Sequence, residues 1–189
     1  MDSSYNKIFT TNSIDYSTQL NHFQISTTDS LSGVKDADES VTITVQGDDL
    51  SGCSFKLYKK QGETTTLSSG TTTTFEIDVN DINGVGELYV DVYVDNVCVA
   101  TTNALQYNIT LNTFTLATTS NLQTSMLENQ LIGLTVNAQN LNGYTFELYK
   151  RVLGVENLVK SSSVSTIMLM ASELTGSGEL FVKVYKNAT

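Results

Sequence analysis

The chain contains the sequence Leu88-Tyr89-Val90-Asp91-Val92-Tyr93-Val94-Asp95-Asn96-Val97-Cys98-Val99 near its middle. Aliphatic residues alternate with polar or aromatic ones as far as Val94, and this period of two predicts a strand with one buried and one exposed face. Asp95 and Asn96 suit the two-residue turn of a hairpin, so the chain is predicted to return at once as a second strand. The segment therefore predicts antiparallel β-structure.

The same alternation covers much of the chain. It is found in Val41–Val45, Phe55–Tyr58 and Phe75–Val79, and Gly, Asn and Asp residues between these runs signal turns. No stretch has the amphipathic pattern of a long helix. Roughly six or seven short strands in about 90 residues, with turns at intervals of about 8–12 residues, are typical of a sandwich of two antiparallel sheets.

The chain repeats itself once. Phe55-Lys56-Leu57-Tyr58-Lys59 recurs as Phe146-Glu147-Leu148-Tyr149-Lys150, and Gly86-Glu87-Leu88 recurs as Gly178-Glu179-Leu180. Each repeat is long enough to bury one core. The sequence therefore predicts an all-β protein with two tandem β-sandwich domains, domain 1 at residues 19–108 and domain 2 at residues 109–189.

The repeat also extends into the N-terminal segment. Thr10–Tyr16 matches Thr101–Tyr107, which closes domain 1. Residues 1–18 are thus predicted to form a short strand-like arm, and domain 2 is predicted to lack its last strand. One hypothesis is that the arm of one subunit completes domain 2 of a neighbour. The apolar contacts predicted for such a donor strand are Ile8, Phe9 and Ile14.

Three alternatives to this donor exchange stay open. The chain could be a piece of a longer repeat array, the arm could fold back onto its own second domain, or domain 2 could be stable with six strands while the arm is disordered.

Aromatic residues recur on the outward side of two neighbouring strands in each repeat. They are Tyr58, Tyr89 and Tyr93 in domain 1, and Tyr149, Phe181 and Tyr185 in domain 2. Three interpretations are open: cross-strand pairing that stabilises the sheet, a contact surface for another protein, or a platform that stacks on sugars. We treat all six as candidate interaction residues.

The charge distribution excludes some partners. The chain has 20 acidic and 10 basic residues and a net charge of −10, which residues 1–108 carry alone. An acidic surface disfavours nucleic acid and anionic membranes; it serves solubility, or orients the molecule on a basic partner. No apolar run is long enough for a membrane span, and no signal-peptide pattern is present. We therefore expect a protein made and kept in a cytosol, or one that leaves it as part of an assembly.

The sequence shows no catalytic apparatus. There is one histidine, His22, and neither a nucleophile motif, a phosphate-binding glycine loop nor a metal-ligand spacing is present. The acidic clusters around Asp36 and Asp78 could supply several oxygen ligands to calcium, but their spacing does not match the EF-hand loop, and we predict no calcium site. Cys53 and Cys98 have no counterparts in the second repeat, which predicts free thiols. The sequence thus predicts no enzyme, no catalytic residue, no metal site and no cofactor.

The strand count, the spacing and the tandem repeat resemble bacterial and phage immunoglobulin-like domains, although the Cys–Trp–Cys pattern of antibody domains is absent. Such domains include auxiliary, or decoration, proteins on the capsids of tailed phages. The resemblance implies a non-enzymatic virion protein made in the host cytoplasm and bound to the outside of the capsid. Its partner would be the major capsid protein or another virion protein. The alternative is an adhesin or glycan-binding module of a phage fibre or tail, or of a bacterial surface.

Overall fold

The structure is a computed structural model that describes residues 13–15, 17–18 and 20–186. Short strands dominate it, and two 3₁₀ helices interrupt them at Val79–Ile82 and Ala171–Leu174. The strands are β1 (Phe23–Ser26), β2 (Ser32–Lys35), β3 (Ser40–Gly47), β4 (Cys53–Gln61), β5 (Glu63–Gly70), β6 (Thr74–Asp78), β7 (Gly84–Val94), β8 (Val97–Thr101), β9 (Leu105–Leu111), β10 (Thr115–Thr118), β11 (Leu131–Asn137), β12 (Tyr144–Val152), β13 (Val155–Ser162), β14 (Thr166–Met170) and β15 (Glu179–Lys186).

Domain 1 is a complete sandwich. One sheet has the order β1-β3-β6, and the other has the order β2-β9-β7-β4-β5, with β8 also paired to β7. All pairs are antiparallel except β2 with β9. The alternation predicted from the sequence builds the core: Val41, Ile43 and Val45 of β3 are buried, whereas Thr42 between them is exposed.

Domain 2 repeats the sandwich with fewer strands. Its sheets have the orders β10-β11-β14 and β13-β12-β15. The first matches β1-β3-β6 strand for strand, and the second matches β5-β4-β7. The chain is therefore an all-β protein of two tandem immunoglobulin-like sandwiches, as the sequence predicted.

The predicted hairpin at Asp95–Asn96 is confirmed. Both residues have positive φ, 49° and 65°, and they join β7 directly to β8. Positive φ at both central positions is the geometry of a type I′ turn, whose twist matches that of the flanking strands.

The junction between the domains lies beyond the predicted boundary. β9 runs through residues 108 and 109 and ends at Leu111, which pairs with Lys35 of domain 1. The side chain of Asn112 follows and is buried, with 6% of its surface exposed. Its Nδ2 donates to the carbonyl of Asn140 at 2.9 Å and to Asp36 at 3.2 Å.

Asp36 of domain 1 receives hydrogen bonds from domain 2 as well. The Tyr144 hydroxyl donates to its Oδ1, and Lys186 Nζ lies 2.5 Å from its Oδ2. Burial of Asp36 acts to raise its pKa, but the hydrogen bonds from Lys186, Tyr144 and Asn112 outweigh burial and hold the pKa below the ordinary value. The carboxylate thus fixes the two domains against each other.

Because the folded-state pKa of Asp36 is lowered, its contribution to stability is present above the ordinary aspartate pKa and is lost as pH falls through the folded value. We expect Asp36→Asn to cost about 1–2 kcal/mol at neutral pH, since half-exposed Lys186 is partly screened. Denaturant unfolding at pH 7 and at pH 3 measures this cost. The variant should lose less stability on acidification than the wild type, and exposed Asp38→Asn is the control. Equal pH dependence of Asp36→Asn and the wild type would contradict the assignment.

Candidate functional site: an open strand position in domain 2

In domain 1, both edges of β7 are covered. One edge pairs with β4. The other pairs first with β9, from Gly84 opposite Ile109 to Leu88 opposite Leu105, and then with β8, from Asp91 opposite Thr101 to Val94 opposite Val97. Its inward residues Leu88, Val90 and Val92 are consequently buried completely.

In domain 2, the equivalent strand β15 is covered on one edge only. Among the described residues it pairs with β12 and with no other strand. Its inward residues Leu180, Val182 and Val184 are only partly buried. The free edge presents backbone donors and acceptors to a partner strand.

The described part of domain 2 also has no counterpart of β2. β2 of domain 1 pairs in parallel with β9 and with no other described strand. The matching residues of domain 2, 123–126, form no strand. Because no strand equivalent to β9 is described beside them, they have nothing to pair with.

The open position forms a groove of about 730 Å³. This volume lies within the range of ligand-binding pockets, roughly 300–1,000 Å³. Buried apolar residues such as Ile132 and exposed polar residues such as Gln123 both line it. The lining comes from β10, the loop after it, β11, the second 3₁₀ helix and the start of β15, and includes Leu116, Leu122, Met126, Ile132, Leu134, Ala171, Leu174, Gly178 and Leu180.

In domain 1, side chains of β9 fill the corresponding space. Tyr107 and Ile109 are 2% and 1% exposed and belong to the core. The core of domain 1 holds sixteen buried hydrophobic residues, whereas that of domain 2 holds eight among the described residues. The groove is therefore a part of the domain 2 core that no described residue fills.

A glycine recurs where a carbonyl oxygen of the paired strand approaches closely, and in domain 1 the Tyr107 ring approaches it too. A Cβ added to Gly86 would clash with the Tyr107 hydroxyl and would lie 2.7 Å from the Lys60 carbonyl oxygen, so only glycine fits here. The equivalent Gly178 of domain 2 lines the groove, and its added Cβ would clash with the Arg151 carbonyl oxygen.

Two polar residues between β8 and β9 hydrogen-bond to β7 and to β1, which lie in the two sheets of domain 1. Thr102 donates its backbone N–H to the carbonyl of Val90 at 2.9 Å and accepts the Val90 N–H on its Oγ1 at 3.0 Å. The Asn103 side chain accepts from the N–H of Ile25 at 2.8 Å and donates to its carbonyl at 3.2 Å. Asn103 thus joins the segment between β8 and β9 to β1 in the opposite sheet. An alternation of hydrophobic and polar residues cannot indicate this role.

The N-terminal arm does not occupy the groove in its described part. Residues 13–15 and 17–18 are exposed and form no strand, and Ile14 is 84% exposed. Ile8 and Phe9, the other predicted contacts of the arm, lie outside the described residues.

The outward aromatic residues of domain 1 are paired. Tyr58 and Tyr89 stand opposite each other on β4 and β7, and their rings stack with centroids 5.2 Å apart. Lys56 Nζ lies 4.7 Å from the centre of the Tyr93 ring. Such contacts stabilise a sheet by about 0.2–1 kcal/mol per pair. Cross-strand pairing is therefore one role of these aromatic residues.

Domain 2 has an equivalent stacked aromatic pair, but different cationic side chains lie over its rings. Tyr149 and Phe181 stack at 5.6 Å, with Lys183 over the first ring and Arg151 over the second. Tyr185 is 45% exposed. The Tyr149 hydroxyl donates to Glu147 at 2.8 Å, and this hydrogen bond to a carboxylate raises the pKa of Tyr149 to about 12.

The acidic residues that the sequence singled out make hydrogen bonds or ion pairs within the fold, and the two cysteines are free. Asp78 caps the first 3₁₀ helix by accepting from the N–H of Asn80, and Glu39 lies 3.0 Å from Lys35. Cys53 is buried and Cys98 exposed, both as free thiols. In the part of the chain that the structure describes, no group of three or more His, Cys, Asp or Glu side chains is placed to hold a metal ion. None of the described helices is long and apolar enough to span a membrane.

No protein-family model matches the chain, and the comparison with curated proteins gives no match. Among solved structures, the chain is similar to the human OSCAR ligand-binding domain. The two share 14% sequence identity with a TM-score of 0.36, and the alignment covers 87% of this chain and 97% of that one. A likeness at this level carries no argument about fold or function.

Proposed function

We propose that this protein is a non-enzymatic structural protein that assembles with other proteins through its strand edges and outer sheet faces. The observation that supports this most strongly is the free edge of β15 beside the open groove of domain 2. Natural proteins block or cover such an edge, because unpaired backbone groups next to apolar surface recruit a further strand. Among the described residues, domain 2 therefore offers an open edge to which a further strand can pair.

The setting that we propose is the outside of a virus capsid, where the chain would act as an auxiliary, or decoration, protein. Its partner there would be the major capsid protein or another virion protein. The resemblance of the tandem repeat to phage immunoglobulin-like domains supports this setting. The net charge of −10 suits contact with a basic protein surface.

A glycan-binding adhesin is the second candidate, and the stacked aromatic pairs on the outer faces favour it because aromatic rings stack on sugars. We rank it second because cations already lie over Tyr149 and Phe181. A depletion assay with capsular and cell-wall polysaccharides separates the two: retention of the chain on a polysaccharide would favour the adhesin.

Fractionation of virus particles tests the capsid setting. Particles are purified on a density gradient from a culture that carries this coding sequence, and the chain is quantified by mass spectrometry. The proposal predicts that the chain sediments with the major capsid protein in a constant ratio. A chain found only with cells or in the particle-free fraction would contradict the capsid setting.

Substitution of Tyr89 and Tyr93 tests whether the outer face is a contact surface. If it is, Tyr89→Ala and Tyr93→Ala should abolish co-sedimentation with particles while unfolding free energy falls by only about 0.2–1 kcal/mol. Tyr89→Phe, which keeps the stacked ring, is the matched control. Variants that lose stability but still co-sediment would assign these rings to the sheet alone.

A further inference from the structure

We propose that residues 10–18 of one copy of this chain fill the groove of domain 2 in a second copy and act as its last strand. The proposal deepens the assembly role proposed above, on which it rests, by naming the partner strand. It is carried by the groove and by the residues of domain 1 that fill the same position there.

Three of the residues with specific roles in and just before β9 recur in the arm, whereas buried Ile109 is matched by Thr18. Thr102, Asn103 and Tyr107 make the polar bridges and fill the core, and Thr11, Asn12 and Tyr16 stand at the matching places of the repeat. Residues with no such role differ between the two segments: Ala104 becomes Ser13 and Gln106 becomes Asp15. The arm thus keeps the chemistry of a closing strand.

The groove offers the matching partners. In domain 1, the Asn103 side chain hydrogen-bonds the backbone of Ile25. The counterpart of Ile25 in domain 2 is Leu116, which lines the groove. The counterpart of Gly86, which admits the ring of Tyr107, is Gly178, which lines it too.

The pairing of domain 1 sets the register of the donated strand. Tyr107 lies opposite Gly86, and Leu105 lies opposite Leu88. Transferred through the repeat, Tyr16 lies opposite Gly178, and Ile14 lies opposite Leu180. The edge of β15 and the arm then form an antiparallel pair.

The geometry favours donation between copies. The arm leads into β1 of domain 1, where β8 and β9 already occupy the position that it matches. Its described residues are exposed and do not line the groove of their own chain. A contact between the arm of one copy and domain 2 of the next is heterologous, so it propagates into rings or linear oligomers.

Sedimentation velocity of the purified full-length chain over a range of concentrations tests the proposal. The wild type should form oligomers that lengthen with concentration. Tyr16→Ala and Asn12→Ala should each weaken association by about tenfold or more. Ser13→Ala and Asp15→Gln, which copy domain 1, should leave it unchanged. Thermal unfolding should be the same in dilute samples of all four variants, because these residues lie outside the domains.

Mixing distinguishes exchange between copies from closure within one chain. Ala171→Phe places a large side chain in the groove and should block acceptance, as Tyr16→Ala blocks donation. At concentrations where the weakened association of Tyr16→Ala is negligible, each variant alone should be monomeric. Their mixture should form dimers only, since one competent arm and one competent groove remain. A wild type that stays monomeric, or arm variants that associate like it, would overturn the proposal. Neither result would contradict the proposal that the chain binds the outside of a capsid, because particle fractionation tests that proposal separately.

Discussion

Tyr107→Ala is expected to lower the free energy of unfolding of domain 1 by about 3–5 kcal/mol. Tyr107 is 2% exposed, and its ring passes over Gly86 between the two sheets. Its removal would leave in domain 1 a cavity like the groove of domain 2. Partial relaxation of the walls would not recover the lost contacts, because protein interiors are tightly packed.

Urea unfolding followed by far-ultraviolet circular dichroism measures this loss. Tyr107→Phe is the matched control: it keeps the ring and removes only the hydrogen bond to Gln61, which is 3.4 Å long, so it should cost about 1 kcal/mol or less. Similar losses for alanine and phenylalanine would show that the ring does not fill the core as described.

Phe146→Ala is expected to unfold domain 2 while domain 1 stays folded. The side chain is 1% exposed, and such truncations cost about 3–5 kcal/mol. Among the described residues, domain 2 has half as many buried hydrophobic residues as domain 1. The free energy of unfolding of a small domain is only about 5–15 kcal/mol. The same loss should therefore be a larger fraction of the unfolding free energy of domain 2 than of domain 1.

The equivalent variant Phe55→Ala provides the comparison, since Phe55 is also 1% exposed. Hydrogen exchange resolved by peptide measures each domain separately. Phe146→Ala should remove protection from β11, β12 and β15 at room temperature, whereas Phe55→Ala should leave β3, β4 and β7 protected. Retained protection in domain 2 of Phe146→Ala would show that it is as stable as domain 1.

The sequence predicted those parts of the fold that alternate hydrophobic and polar residues. β3, β4 and β7 lie where the alternation places them, because each buries one face against the opposite sheet. The repeat then carried these assignments into domain 2, including β11, β12 and β15. The hairpin turn was predictable because Asp95 and Asn96 tolerate positive φ.

Strands that bury little were missed. β5 has the sequence Glu-Thr-Thr-Thr-Leu-Ser-Ser-Gly and is largely exposed, so it has no hydrophobic alternation to detect. It forms by pairing along β4 after the turn at Gly62, where φ is 79°. β2 depends on its parallel pairing with β9, a long-range contact that local patterns do not contain.

Long-range polar contacts were likewise beyond the sequence. Asn103 bonds the backbone of Ile25, 78 residues away, and Asp36 meets Lys186, 150 residues away. The recurrence of Asn12 with Asn103 was visible, but its meaning required the structure of domain 1.

Disulfide trapping between two labelled copies tests donor exchange most directly. A copy with Ile14→Cys, grown on heavy nitrogen, is mixed with a light copy carrying Leu180→Cys, both with exposed Cys98 changed to serine. Asp15→Cys, whose side chain points the other way along a strand, is the control. We expect a disulfide that joins the heavy residue-14 peptide to the light residue-180 peptide, and far less product from the control. No heavy-to-light product, or equal yields from residues 14 and 15, would contradict the exchange of the arm between copies.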